Sequence, residues 1–311
     1  MIRLARMSNL DQYNRRPSEA DSNTGRRSVP VTTRVAMLFG GFLVQFGAAF
    51  FTFGMIFWWV FGAQSDVTSW YQFSGELQRT EGTVVSCTDT GISEGGSDSS
   101  PGTPIYRIDY EYLSPKEMRL SGTCYATGMN LVSGAPVAIE YVPDDPATSR
   151  IPDTRKNVIG FWGIFVGLFP AIGLAFLFVG LRSNARSMRV LKIGKQARGR
   201  LISKEPTNTR INKQTVYKLT FEYEDENGDT HSISTKTHLT AMLEDEETER
   251  LLYDPMHPSE GVLIDNLPGK PAISAQGDVL GVGVSASFGR LLLPVGGFMA
   301  HAGVGLIFYV L

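Results

Sequence analysis

Three long stretches contain no Asp, Glu, Lys or Arg: Val35–Phe61 (VAMLFGGFLVQFGAAFFTFGMIFWWVF), Val158–Leu181 (VIGFWGIFVGLFPAIGLAFLFVGL) and Leu291–Leu311 (LLLPVGGFMAHAGVGLIFYVL). A helix rising ~1.5 Å per residue needs roughly 20 apolar residues to cross a hydrocarbon core, and each stretch reaches that length. The sequence therefore predicts three membrane-spanning helices, at 35–62, 158–181 and 290–311. Buried core helices of a soluble protein are the alternative, but those are usually shorter and carry a polar stripe at helical spacing, which these stretches lack. A cleaved signal peptide does not fit the first stretch, which starts past residue 30 and has Trp58, Trp59 and Phe61 where small residues would be needed. A net charge of −2 and a mean hydropathy of −0.05 conceal this segregation.

Lys and Arg near the ends of spans set their direction, because they resist transfer across the bilayer. Arg15, Arg16, Arg26, Arg27 and Arg34 precede the first span; after the second come Arg182, Arg186, Arg189, Lys192, Lys195, Arg198 and Arg200, against Arg150, Arg155 and Lys156 before it. The expected order is a cytoplasmic tail (1–34), a span, an extracytoplasmic domain (64–157), a span, a cytoplasmic domain (182–288), and a last span that leaves the C-terminus outside. The tail has too few apolar residues to offset the entropy of ordering, so disorder is expected there. Its arginines either touch anionic headgroups or only set topology.

The two domains echo one another. EGTVVSC, YRIDYEY, RLSGTCY and PVAIEYVPDDP in the first match RGRLISK, YKLTFEY, THSISTK and RLLYDPMHP in the second, in the same order. The offset is 117 positions from Gly82 to Gly199, 111 from Tyr106 to Tyr217 and 112 from Tyr141 to Tyr253. Self-similarity of this kind signals a repeated unit. The loop GISEGGSDSSPGTP makes the first copy longer. YRIDYEY and YKLTFEY alternate apolar and polar residues, the period of half-buried strands. Asn227-Gly228 suits a type I′ hairpin turn. The expected class is α plus β: three transmembrane helices alternating with two small antiparallel β domains, barrel- or sandwich-like, from a duplicated unit. Pro143 and Pro146, like Pro255 and Pro258, follow the last long strand and turn the chain toward a final one.

Both cysteines, Cys87 and Cys124, lie in the copy assigned to the oxidising side; Lys204 and Thr235 stand at the matching positions of the other. A disulfide between the first and third strands is the expectation, with two separate buried thiols as the alternative.

The pattern G-x-V-V, then Y-x-x-x-Y-x-Y, then V-x-Y-D-P-x-x-P beside membrane helices resembles a widespread family of bacterial membrane proteins catalogued as a domain of unknown function. Gly82-Thr83-Val84-Val85 and Tyr253-Asp254-Pro255 with Pro258 carry the likeness; Tyr141, Pro143, Pro146 and Gly199 complete the signature. Val142 replaces the Asp in the first copy, and the second lacks the Gly-x-x-V approach to the last long strand. The resemblance implies a location in the bacterial cytoplasmic membrane and no assigned chemistry.

Candidate functional residues are few. Gly163, Gly167 and Ala171 recur every four residues, which places small side chains on one helix face and permits close packing within the helix set or between copies. Gln45 and His301 are polar residues inside spans, either a functional pair or simple interhelical hydrogen-bonders. His231, His238 and His257 have no compact metal-ligand spacing, and the acidic run EDEE lacks the alternating oxygens of a calcium loop. No nucleophile elbow, phosphate-binding loop or basic-aromatic nucleic-acid surface is present, so no catalytic residue, cofactor, metal or nucleic acid is assigned. The expectation is a non-enzymatic assembly or signalling protein whose partners are the lipid bilayer and either another protein or further copies of itself. A subunit of an oligomeric transporter or channel is the alternative.

Overall fold

The computed structural model describes residues 26–243, 247–274 and 278–310. Arg15, Arg16, most of the expected disordered tail and the first three residues of EDEE lie outside them. The chain divides into two compact units, Phe50–Ile172 and the chain up to Ala49 together with Gly173–Leu311.

The first unit carries β1 (Gln78–Glu94), β2 (Thr103–Leu113), β3 (Arg119–Thr127), β4 (Pro136–Val142) and β5 (Asp145–Arg150), ordered β3-β2-β1-β4-β5 in one sheet. Three consecutive strands with a fourth returning beside the first make a Greek key. Neighbours are antiparallel throughout. The outer strands β3 and β5 therefore run parallel, and they come into contact, so the sheet curls toward a barrel. The alternation read in YRIDYEY holds: Ile108, Tyr110 and Tyr112 are buried and join Val84, Cys124, Ala126, Ile139 and Ile151 in one core. Full burial of one such aliphatic side chain contributes about 1.5–3 kcal/mol.

The second unit repeats this plan. Strands β6 (Lys195–Ile211), β7 (Gln214–Glu224), β8 (Thr230–Thr237), β9 (Glu249–Asp254) and β10 (His257–Leu263) are ordered β10-β9-β6-β7-β8, and β8 touches β10. The likeness extends to local irregularities. β1 bulges between Val84 and Ser86, and β6 bulges between Leu201 and Ser203. A Cβ on Gly82 would lie 2.7 Å from Ile139 Cγ1, and one on Gly199 would lie 2.7 Å from Leu251 Cδ2. Glycine at both places thus lets the long shared strand cross its own core.

The proline signature acquires a specific role. Tyr112 Oη donates to the Pro146 carbonyl, and Tyr223 Oη donates to the Pro258 carbonyl. In each copy the strand-entry proline accepts the phenol of the strand next to the central one, β2 or β7, which ties the last hairpin to the opposite half of the sheet. Burial, with Tyr253 and the Asp225 carboxylate nearby, pushes the Tyr223 phenol up to about 12, so it stays a donor well above neutral pH. Tyr112→Phe and Tyr223→Phe should each lower stability by about 1 kcal/mol, read as a fall in Tm of the detergent-purified chain, and the two losses should match.

Three expectations need correction. Cys87 and Cys124 both pair with Ile108, from opposite sides of β2. Two strand spacings put them ~9–10 Å apart, beyond the ~7 Å limit for bridging, and both are free thiols. The expected disulfide fails because β2 lies between the first and third strands. The type I′ turn falls at Asn212-Lys213, where both φ angles are positive (49° and 66°) between paired Ile211 and Gln214. At Asn227-Gly228 only the glycine has positive φ, and the Asp225 carboxylate accepts the Asn227 and Asp229 amides instead.

The third correction concerns the helices. Among the described residues two helical stretches, Phe42–Gly62 and Phe161–Ile193, are long and apolar enough to cross a membrane, and the last apolar block forms a helix of 19 described residues, Leu292–Val310, whose apolar part is Leu292–Phe308. The expected first span breaks at Gly40–Gly41 into α1 (Val31–Phe39) and α2 (Phe42–Phe57), the latter continuing as a π-helical turn over Trp58–Gly62. α3 (Thr68–Gln72) follows, then a 3₁₀ stretch (Phe161–Gly167) leading into α4 (Leu168–Ile193), α5 (Val284–Gly289) and α6 (Leu292–Val310).

Within the second unit, glycines set the approach of α2 to α4. A Cβ on Gly47 would lie 2.8 Å from the Gly173 carbonyl oxygen, and one on Gly180 would lie 2.9 Å from the Val44 nitrogen. In the first unit, Gly163 abuts Ile159 and Ser65, and Gly167 abuts the Trp58 ring, so both meet residues of the same chain; Ala171 is exposed.

Candidate functional site

The break between α1 and α2 leaves helix-end carbonyls without intrahelical partners. Three side chains of the second unit supply them, Gln45 from the next helix and Asn184 and Arg290 from far along the chain. Arg290 Nη1 donates to the Ala36 carbonyl at 3.0 Å, Asn184 Nδ2 to Leu38 at 2.8 Å and Gln45 Nε2 to Phe39 at 2.6 Å. Gln45 Nε2 also reaches the Arg290 carbonyl at 2.8 Å. Gln45 is therefore committed to the helix break, and His301 sits half-buried on α6. Asn184 and the capping role of Arg290, which in the sequence only marks the start of the last apolar block, are not legible there, although a Gly-Gly pair inside an apolar run is the signal of a break that needs such donors.

Asp254, the signature carboxylate, ends β9 fully buried. It accepts the Met256 amide at 3.0 Å and pairs with Arg189 of α4, with His257 Nδ1 at 3.7 Å. Burial alone would raise its pKa; the Met256 amide, Arg189 and His257 outweigh that and hold it below the ordinary aspartate range. The ion pair fastens the polar end of α4 to the last hairpin of its own sheet. His231 pairs with Asp225 at 3.1 Å in the neighbouring turn. Among the described residues no group of three or more His, Cys, Asp or Glu side chains could hold a metal ion.

An open cleft of about 570 Å³ lies in the first unit, with walls that include Trp70, Phe73, Phe161, Arg150, Arg155 and Asp66. Its construction starts at SDVTSW. The Asp66 carboxylate is buried and accepts the Ser69 amide at 3.0 Å and the Lys156 amide at 2.9 Å, fixing α3 against the segment after β5. α3 then turns Phe73 inward under the Arg150 guanidinium, 4.5 Å from the ring centre, and leaves Trp70 72% exposed and Tyr71 78% exposed. Such a cation–π contact holds the arginine in place as well as contributing energy.

Both arginines are partly committed. Arg150 Nε lies 3.4 Å from the Glu140 carboxylate; Arg155 Nη2 lies 2.9 Å from Glu94 and donates to the Val158 carbonyl at 2.8 Å. Among the described residues nothing accepts a hydrogen bond from the Arg150 Nη atoms, and Arg155 Nε is buried without a partner. Because Asp66 is consumed by backbone amides, the cleft presents cationic donors between aromatic walls.

Behind the cleft wall, Tyr110 Oη and Ser149 Oγ lie 3.0 Å apart, and Lys156 Nζ donates to the Ser149 carbonyl at 3.0 Å. Burial raises the Cys124 thiol and lowers the Lys156 ammonium. Cys124 is fully buried and neither group lines the cleft. These are core polar groups with satisfied bonds.

Fold and cleft together define an α-plus-β protein with two antiparallel five-stranded sheets of one design and two long apolar helices. Compared with family models, curated proteins and solved structures, the chain matches none.

Proposed function

We propose that the chain is an integral membrane protein that acts without catalysis as an assembly or signalling component, with one β domain on each face of the bilayer. The observation that carries this is the outward placement of apolar side chains on the two long helices, Phe53 at 60% exposed and Phe178 at 66% among them. A soluble core helix would bury them; lipid is the environment in which such a surface is stable.

The two ends of the second long helix support a direction. Phe161, Trp162 and Phe165 stand at its start, with Trp70 against Phe161 and Trp58 against Gly167, so three of the four tryptophans of the chain lie beside it. Arg182, Arg186, Arg189 and Lys192 stand at its other end. Aromatic residues favour the membrane–water interface, and a basic end favours the cytoplasm. Two rigid β modules offering loops and turns suit protein contacts.

Alkaline carbonate washing of membranes, followed by mild detergent extraction and native mass determination, tests the proposal. The chain should resist carbonate and emerge with a stoichiometric second protein. Release by carbonate would refute the membrane assignment, and a homo-oligomer with nothing else bound would favour the channel alternative.

A further inference from the structure

The cleft of the first unit has the chemistry of a headgroup pocket. Three features converge on it. Its aromatic wall, Trp70 and Phe161, is continuous with the apolar side chains of the 3₁₀ stretch, the ring centroids of the two residues lying 6.4 Å apart. Its donors are the Arg150 Nη atoms, for which no described residue is an acceptor, while Arg155 adds positive charge to the wall with its Nη2 held by Glu94 and Val158. Its volume of about 570 Å³ falls within the ~300–1,000 Å³ typical of small-molecule sites.

A guanidinium held by stacking and aimed at an open space suits a phosphate oxygen, to which it donates strong charge-assisted hydrogen bonds. An aromatic wall at the level where an apolar helix begins suits glycerol and the first acyl carbons. A free inorganic anion would use the arginines and leave the aromatic wall exposed. A bilayer phospholipid uses both.

We infer that the cleft between α3 and the end of β5 binds the headgroup of an anionic phospholipid, with the Arg150 guanidinium on the phosphate, Arg155 adding positive charge behind it, and Trp70 and Phe161 against its glycerol and upper acyl chain. The inference rests on the membrane assignment above. A bound lipid would brace α3 against the helix ends and make retention of the β domain at the surface depend on lipid charge.

The test uses the full chain, purified in mild detergent and stripped of lipid, with phosphatidylglycerol and phosphatidylcholine titrated separately and binding followed by native mass spectrometry. Phosphatidylglycerol should bind at least tenfold more tightly than phosphatidylcholine. Arg150→Gln and Trp70→Ala should each weaken phosphatidylglycerol by about tenfold, the scale expected for losing one charge-assisted contact or one aromatic wall. The Trp70 side chain is largely exposed and touches Phe161 through its ring, so Trp70→Ala keeps the test valid if Arg150→Gln, which also loosens Glu140, unfolds the domain. Unchanged affinity in Trp70→Ala, equal affinity for the two lipids, or full displacement by millimolar inorganic phosphate would each overturn the inference. Carbonate washing of the same membranes separates the two ideas: a chain that resists carbonate but shows no lipid preference loses only the headgroup site.

Discussion

Arg189→Ala should cost the protein about 3–5 kcal/mol at neutral pH, the range found when a buried charge loses its partner. The reason is asymmetry of burial. Arg189 is 51% exposed and would be hydrated if Asp254 were absent, whereas Asp254 is wholly enclosed and, without Arg189, keeps a buried charge supported only by the Met256 amide and His257. A loss of that size should appear as a drop of roughly 10 °C in Tm for a unit of this length. The pH dependence gives a second readout. In the wild type the Asp254 carboxyl titrates below its ordinary value of 3.8. Its contribution is therefore complete above that value and is lost as pH falls through the folded-state pKa. The gap between wild type and Arg189→Ala should be widest at neutral pH and should narrow as pH falls and the unpaired Asp254 of the variant, its pKa raised by burial, takes up a proton before the wild-type carboxylate does. A gap independent of pH would mean that Arg189 acts only through packing of its stem.

The second large effect concerns how the two copies fill one core position differently. In the first sheet Tyr110 pairs with Gly122, and Tyr141 pairs with Ser149. In the second sheet Phe221 pairs with Ile233, and Tyr253 pairs with Gly261. The small residue has moved from one outer strand to the other. A Cβ on Gly122 would lie 2.7 Å from the Tyr110 ring carbon Cε2, and one on Gly261 would lie 2.8 Å from Ile233 Cγ2. Each glycine thus makes room for the bulky group opposite. Gly122→Ile alone should destabilise the first unit by about 3 kcal/mol, from overpacking plus loss of the Tyr110–Ser149 hydrogen bond. Transplanting the whole solution of the second copy, Tyr110→Phe with Gly122→Ile and Ser149→Gly, should recover more than half of that loss. A triple variant no better than Gly122→Ile alone would show that the two cores are not interchangeable solutions of one design.

Much of the β architecture was legible in the sequence because its causes are local. Alternation at Tyr106 to Tyr112 named the buried face, and the parallel order of segments announced two copies of one unit. The phenol-to-proline bonds were half legible: the prolines stood out at fixed spacing, while the tyrosines that bind them lie more than thirty residues upstream, at |i−j| of 34 and 35. Strand order was not legible. Cys87 and Cys124 face the same core, and nothing in their spacing revealed that Ile108 lies between them. The break at Gly40–Gly41 was hidden for a related reason. An uncharged run reads as one span until the donors that satisfy its freed carbonyls, Asn184 and Arg290, are found far along the chain. The cleft was missed because Asp66 and Arg155 become neighbours only when the segment after β5 returns beside α3.

The central claim is that the two sheets of one design face opposite compartments, and a single thiol on each reads this directly. In a Cys87→Ser, Cys124→Ala background, Ser97→Cys places a thiol in the exposed β1–β2 loop and Lys213→Cys places one in the β6–β7 turn. A membrane-impermeant maleimide applied to intact spheroplasts should label the Ser97→Cys chain at once and the Lys213→Cys chain only after lysis. Labelling of both before lysis, or of Lys213→Cys alone, would contradict it.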